Sequence, residues 1–456
     1  MKNVWEKYTG TKQKQVMEFS EGYKKFITAS KTERESVNNS IVLAKKAGFK
    51  ELGSFKSIKA GDRVFVNNRG KSLCLFVIGK DKIENGLNVL GAHIDSPRLD
   101  IKQKPLYEDH GLVLLDTHYY GGIKKYQWVA QPMALHGVVC KKDGKTVEVA
   151  LGEKESDPVV EISDLLIHLA QDQMQKTGAK VVEGEDLNVL FGSIPATGKK
   201  DEKELVKKNI LALLKKEYGI EEDDFVSAEL EVVPAGKARD LGLDRSMVMG
   251  YGHDDRICAY TSLMAVLEVT KPQRTTCCIL TDKEEVGSQG NTGMQSRFFE
   301  NTIAELLHLQ KNDSPIALRH ALSNSRMLSS DVSVAFDPNY PQVCELKNTA
   351  FFGGGIVFNK YTGARGKSGC NDANAEYIAK LRKVLDAKKV IYQTAELGRV
   401  DQGGGGTIAY IAANLNMDVI DAGIAVQNMH SCYETASKAD IYEAYQAYKV
   451  FLSDMR

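Results

Sequence analysis

The chain has 456 residues, enough for two or three domains. Its 60 basic residues match 60 acidic ones, so no global field points to nucleic acid or an anionic membrane as partner. No apolar run approaches the roughly 20 residues of a membrane span, and the start Met1-Lys2-Asn3-Val4-Trp5 lacks the apolar core of a secretion signal. Eight scattered cysteines without a CxxC pair read as reduced thiols of a cytoplasmic protein and argue against a cysteine-based zinc site.

The first fifty residues read as helical, with Ser30 or Thr32 capping a helix that uses Val37, Ile41 and Ala44 and stops at Gly48. Arg63 to Ile78 reads as a hairpin turning at Asn67-Asn68-Arg69-Gly70. The short strand Leu87 to Leu90 runs into Gly91-Ala92-His93-Ile94-Asp95-Ser96-Pro97, a polar cluster where open α/β sheets keep ligands. The pattern then changes. Leu112 to Leu115, Gln127 to Ala130, Leu135 to Cys140, Thr146 to Leu151 and Phe225 to Val233 read as strands, while Pro158 to Lys176 and Asp201 to Lys216 read as helices. Only His168, on the apolar helix, draws notice there. Residues 100–238 are therefore expected to be a mostly β insert in a discontinuous domain formed by 1–99 and 239–456.

From about residue 245 helix and strand alternate. Helices are expected over Asp254–Val269, Gln295–Leu309, Ala373–Ala387, Thr407–Asn414 and Ser437–Asp454. The strands between them are Thr275–Asp282, one ending near Asp331, Val390–Thr394 and Asp418–Ile424. That rhythm predicts a largely parallel sheet between helix layers, an α/β/α fold.

Five polar clusters punctuate the two outer parts: His93-x-Asp95, Gly252-His253-Asp254-Asp255, Glu284-Glu285, Ser329-Ser330-Asp331 and Met429-His430-Ser431. Two of these histidines, His93 and His430, with several carboxylates and no cysteine form the ligand set of a hydrolytic zinc, manganese or cobalt site. Asp95, two residues after His93, can accept the second imidazole N–H and fix the ligating tautomer. In a turn, Glu284 and Glu285 can both aim at one centre, one as ligand and one as proton acceptor. Each cluster has a plainer reading. A lone His-x-Asp is more often a surface turn, Asp254 or Asp331 can be a helix N-cap, and His430 can be a satisfied core histidine.

Taken in this order, the clusters resemble the M18 family of metallo-aminopeptidases, within the co-catalytic dizinc exopeptidases. The resemblance rests on Gly91 to Pro97, His253-Asp254-Asp255-Arg256, Asp282-Lys283-Glu284-Glu285-Val286-Gly287-Ser288, Ser330-Asp331 with Asp337-Pro338-Asn339-Tyr340, and Met429-His430-Ser431. It implies a three-layer α/β/α catalytic domain carrying an inserted dimerisation domain, and two divalent ions per subunit, zinc first and manganese or cobalt as alternatives. It implies that Asp254 bridges the ions, that His93 and Glu285 complete one shell, and that Asp331 and His430 complete the other. Asp95 orients His93, and Glu284 is the general base in removal of an N-terminal residue from peptides with a free N-terminus. The resemblance further implies a homo-dodecamer built from dimers, in which His168 helps shape a neighbouring subunit's site.

One segment departs from the pattern. Acid-preferring relatives carry a GGPVIK-type stretch, whereas this chain has Gly353-Gly354-Gly355-Ile356-Val357-Phe358-Asn359-Lys360, with no proline and a displaced lysine. Lys360, Arg365 and Lys367 are the remaining candidate partners for a substrate carboxylate, and the balance leans to a broader or neutral preference, with acidic residues still open. Two other functions stay open at this point: another two-metal peptidase or amidohydrolase of deblocking type, and a catalytically silent shell.

Overall fold

The computed structural model describes residues 3–199 and 202–456. It divides into two compact units, one of residues 1–95, 238–429 and 434–456, the other of residues 96–237 with 430–433.

The first unit is built on a mixed sheet that, among the described residues, has nine strands. Their spatial order is Lys50–Glu51, Arg63–Asn68, Ser72–Val77, Thr275–Thr281, Leu87–His93, Arg326–Ser329, Asp418–Gly423, Ile356–Asn359 and Tyr392–Thr394. Four central strands, Thr275–Thr281 to Asp418–Gly423 in that order, are mutually parallel. Every residue of Leu87–His93 and Thr275–Thr281 is buried, as expected of strands covered on both faces. Helices Thr11–Thr28, Glu33–Lys46, His253–Glu268, Ala375–Ala387 and Lys438–Asp454 pack one apolar core against the sheet. Phe298–Leu309, Pro315–Ser323 and Ala409–Ala413 build the core on its other face. A smaller sheet orders Arg239–Leu241, Met247–Gly250, Glu434–Ser437, Ala425–Gln427 and Ser333–Val334. The α/β class and the layering agree with the sequence reading.

Local chemistry explains several boundaries. Thr32, not Ser30, caps Glu33–Lys46 in a reciprocal capping box with Glu35, and Gly48 turns the chain out at φ 84°. Gly355 stands where the GGPVIK pattern has proline. Its N–H donates to Asp440 Oδ1 at 2.8 Å, that of Gly353 donates to Oδ2 at 2.7 Å, and proline could not donate. The φ of +83° at Gly355 also excludes proline, and an added Cβ would meet the Ile391 carbonyl at 2.2 Å. Asp440 thereby ties helix Lys438–Asp454 to the loop ahead of strand Ile356–Asn359.

The second unit carries a six-stranded sheet ordered Thr146–Leu151, Met133–Cys140, Ala228–Pro234, Arg98–Asp109, Leu112–Tyr120 and Val189–Gly192. Several expectations fail here. Gln127–Ala130 is not a strand but follows a 3-10 turn, Lys125–Gln127. The helix expected over Asp201–Lys216 forms as Leu205–Tyr218, with Asp201 outside the described residues. The helix expected over Pro158–Lys176 does not form. Val160 and Glu161 make isolated β-bridges, and only the 3-10 turns Ile167–Leu169 and Gln173–Gln175 follow. The reason is that its apolar side chains have no core to meet: Leu166, Ile167 and Leu169 are 54%, 68% and 69% exposed. His168 is exposed with them rather than set in a buried helix.

Removing the Asp440 carboxylate strands two buried N–H groups, each costing about 1–3 kcal/mol. Asp440→Ala is expected to lower the urea midpoint by the equivalent of about 2–5 kcal/mol. A midpoint within error of the wild type would show that this tie carries no stability.

Candidate functional site

Three parallel strand ends and one helix start bring the acidic groups together. His93 is the last residue of Leu87–His93, Asp331 follows Arg326–Ser329 by two residues, and Glu284 follows Thr275–Thr281 by three. Asp254 is the second residue of His253–Glu268, which is entered through Gly252 at φ 78°. The peptide bond between Asp254 and Asp255 is cis.

The geometry centres on His93. Its Nε2 lies 3.1 Å from Asp254 Oδ1, 3.8 Å from Glu284 Oε2 and 3.8 Å from Asp331 Oδ1. Three sets of ligand atoms lie within 4.8 Å of one another: His93, Asp254 and Glu285; His93, Glu284 and Asp331; Asp254, Asp255 and Asp331. His93 Nδ1 sits 3.0 Å from the Asp95 carbonyl, which can only accept, so Nδ1 carries the proton and Nε2 faces the carboxylates.

Asp95 does more than orient that ring. Its Oδ1 accepts the N–H of Glu284 at 3.1 Å and its Oδ2 that of Glu285 at 3.2 Å. Lys283 in the left-handed region at φ 70° and Gly287 at φ 93° bracket the single 3-10 turn Glu284–Val286. That turn lets consecutive glutamates face one imidazole, which an extended strand would forbid. Glu284 keeps 16% of its side chain exposed, so water reaches it, while His93 and Asp95 are buried.

The cluster draws positive charge to itself. Burial disfavours a charged His93, yet hydrogen bonds to Asp254 and Asp95 and the charges of Asp331 and Glu284 outweigh it and hold the imidazole well above its ordinary range. Burial, with Asp331 and Asp254 beside it, pushes the Asp255 carboxyl far up. Burial does the same to Asp331, reinforced by Glu284, Asp254 and Asp421 and opposed by His93. Carboxylate oxygens with one imidazole nitrogen, all hard or borderline donors, suit a divalent ion such as zinc or manganese.

His93, Asp95, Asp254, Glu284, Glu285 and Asp331 are thus brought together. His430 and His168 belong to the second unit and are not in these groups of ligand atoms. His430 sits at φ 66° with Nδ1 2.7 Å from the Gly122 carbonyl, which fixes the proton on Nδ1 and leaves Nε2 as the acceptor. Of the lysines considered for a substrate carboxylate, Lys360 is paired with Asp372, and Lys367 meets the same carboxylate at 2.9 Å. Strand Ile356–Asn359 runs antiparallel to Asp418–Gly423, pairing Asn359 with Asp421. It therefore carries Lys360 away from the sheet end that holds the cluster.

Sequence reasoning missed three contributors. Asp255 joins the ligand groups although only its neighbour was assigned a role. Asp421 acts on Asp331 through its charge, and its Oδ1 accepts from Thr407 Oγ1 at 2.7 Å. Glu434 accepts the Asp254 N–H at 3.0 Å. Its signal was an acid four residues after His430 at the head of a buried strand.

Comparison with known proteins converges on one family. Residues 26–452 match the family model described as aminopeptidase I zinc metalloprotease (M18). A probable M18 family aminopeptidase 1 from Clostridium acetobutylicum is 59% identical over 457 residues, spanning 99% of this chain and 98% of its own length. The solved structure of an M18 aminopeptidase from Thermotoga maritima matches with a TM-score of 0.96 at 45% identity, covering 99% of both chains. That of aminopeptidase I from Clostridium acetobutylicum matches at 0.93 with 54% identity, again over 99% of both. With its acidic cluster and matching fold, the chain belongs to the M18 family and is a zinc-dependent aminopeptidase.

Proposed function

We propose that the cluster holds two divalent ions, zinc in the first instance, and that Glu284 is the general base of N-terminal residue removal. In this reading His93, Asp254 and Glu285 would hold one ion, and Asp254, Asp331 and His430 would hold the other. Charge supports two rather than one. The ligand groups contain five carboxyl groups, those of Asp254, Asp255, Glu284, Glu285 and Asp331, against one imidazole. One divalent ion would meet two of these groups in their ionised form, and a second would meet two more. When bound, the ions supply Lewis acidity to water and to the scissile carbonyl.

The chain's own residues do the rest. Asp95 holds the ligating tautomer of His93 and fixes the turn of Glu284, setting ligand and base in one frame. Glu284 takes a proton from the attacking water as the C–O bond forms, and returns it to the amine nitrogen as the C–N bond breaks. The free α-amino group of the substrate would be held at the metal centre, which would select a peptide's first residue. The observation that carries the reading is the pair of consecutive glutamates, both facing His93 from a turn pinned by Asp95.

The neutral-residue preference rests on Lys360 and Lys367 being engaged by Asp372. A cytoplasmic location is supported by eight unpaired cysteines; no described helix is long and apolar enough to cross a membrane. Assembly as a dodecamer from dimers is supported by the exposed apolar run Leu165, Leu166, Ile167, Leu169 and Met174 in the second unit. An S. cerevisiae structure described as a dodecamer shares the fold at 20% identity with a TM-score of 0.76. His168, exposed within that run, would act on a neighbouring copy's site.

Glu284→Gln is expected to keep its zinc, measured per chain, while kcat falls by about 10²–10⁴-fold; an unchanged rate would remove Glu284 as base. Glu285→Gln should instead lose metal. On paired peptides, the free-amine form should be cleaved and the N-acetylated form ignored, and cleavage of the blocked peptide would favour the deblocking alternative. Across aminoacyl substrates, Leu should exceed Asp and Glu in kcat/KM, and the reverse order would contradict the neutral preference.

A further inference from the structure

Glu434 is 1% exposed and opens strand Glu434–Ser437, paired opposite Gly250 of Met247–Gly250. Its Oε2 accepts the backbone N–H of Asp254 at 3.0 Å. That N–H belongs to the first turn of helix His253–Glu268, where donors have no partner inside the helix. Gly252, at the cap position, supplies no side-chain hydrogen bond. An acid 180 residues further along the chain therefore does the capping, and a carboxylate at a helix N-terminus is favoured by the helix dipole.

The local backbone makes this contact decisive for where Asp254 points. Asp254 has φ −81° and ψ 105° and Asp255 φ −119° and ψ 29°, so regular helical hydrogen bonding does not set their directions. The preceding residue is clamped separately: His253 Nδ1 lies 2.5 Å from the Tyr23 hydroxyl and Nε2 lies 3.2 Å from the Val248 carbonyl. His253 is thus held on both ring nitrogens, and Glu434 holds the N–H of the 253–254 peptide.

We propose that Glu434 is a positioning residue for metal binding, fixing the main chain of Asp254 so that its carboxylate faces His93 and Asp331. The proposal rests on the reading of Asp254 as a metal ligand. It differs from a purely structural cap in its consequence, since the loss should fall on zinc affinity more than on the stability of the metal-stripped protein.

The test measures the zinc dissociation constant of the full-length protein by competition with a chromogenic chelator, alongside thermal unfolding of each metal-stripped variant. Glu434→Ala is expected to weaken zinc by about 10–100-fold, the usual effect of removing a group that orients a ligand. Glu434→Gln, whose amide oxygen accepts the same N–H, should bind zinc close to the wild type. Where Glu434→Ala does not yield folded protein, Glu434→Asp, one methylene shorter and still charged, should show the same weakening. His93→Ala serves as the reference and should lose zinc. Wild-type affinity in Glu434→Ala or Glu434→Asp, with zinc lost in His93→Ala, would overturn the role of Glu434 while leaving the metal site intact. A Gln variant as weak as Ala would overturn positioning in favour of charge alone, and undiminished zinc in His93→Ala would overturn the metal site itself.

Discussion

The structure depends on an electrostatic debt: carboxylates are gathered around a single imidazole at the ends of buried parallel strands. Two carboxylates 4 Å apart repel by about 4 kcal/mol at an effective dielectric near 20, and the ligand groups of Asp254, Asp255, Glu284, Glu285 and Asp331 lie within 4.8 Å of their group partners. One protonated histidine cannot balance that charge. Folding such a cluster into the head of a sheet makes sense only where cations complete it, and this is the chemistry of the family to which the chain belongs.

The scaffold places the groups without loop precision. His93, Asp331 and the Glu284 turn come from strands that neighbour one another in space but are separated by long stretches of sequence. Parallel pairing brings their C-terminal ends to one edge, where open α/β sheets collect ligands. Asp95 then couples two functions. Its backbone carbonyl fixes the ring of His93, and its carboxylate grips the N–H groups of Glu284 and Glu285. A shift of the turn would therefore strain the histidine as well, which keeps His93 and the two glutamates in register.

Much of this was legible in the sequence because the signals were local and chemically loud. Leu87–His93 and Thr275–Thr281 are buried along their whole length, so they read as apolar runs, and the polar residues that break those runs are the site. What was not legible depended on tertiary partners. The strand Arg98–Asp109 mixes buried and exposed positions with charged residues and carries no clear apolar signal of its own. Leu165 to Leu169 has an apolar helix's composition but no core to bury it, so propensity alone misled. Gly355 in place of proline has a structural partner the sequence does not show, since its N–H ties the loop to Asp440. Glu434 offered only its spacing from His430 as a signal, because its partner, the Asp254 amide, is brought to it only by the fold.

The central claim is that distant segments converge to hold two cations beside Glu284. It is tested most directly by anomalous X-ray diffraction from crystals of the zinc-loaded protein, recorded on both sides of the zinc absorption edge. The account predicts two anomalous peaks per chain flanking the Asp254 carboxylate, one in contact with His93 and Glu285 and the other with Asp331. A single peak would contradict the two-ion mechanism, and no peak among these side chains would contradict the site.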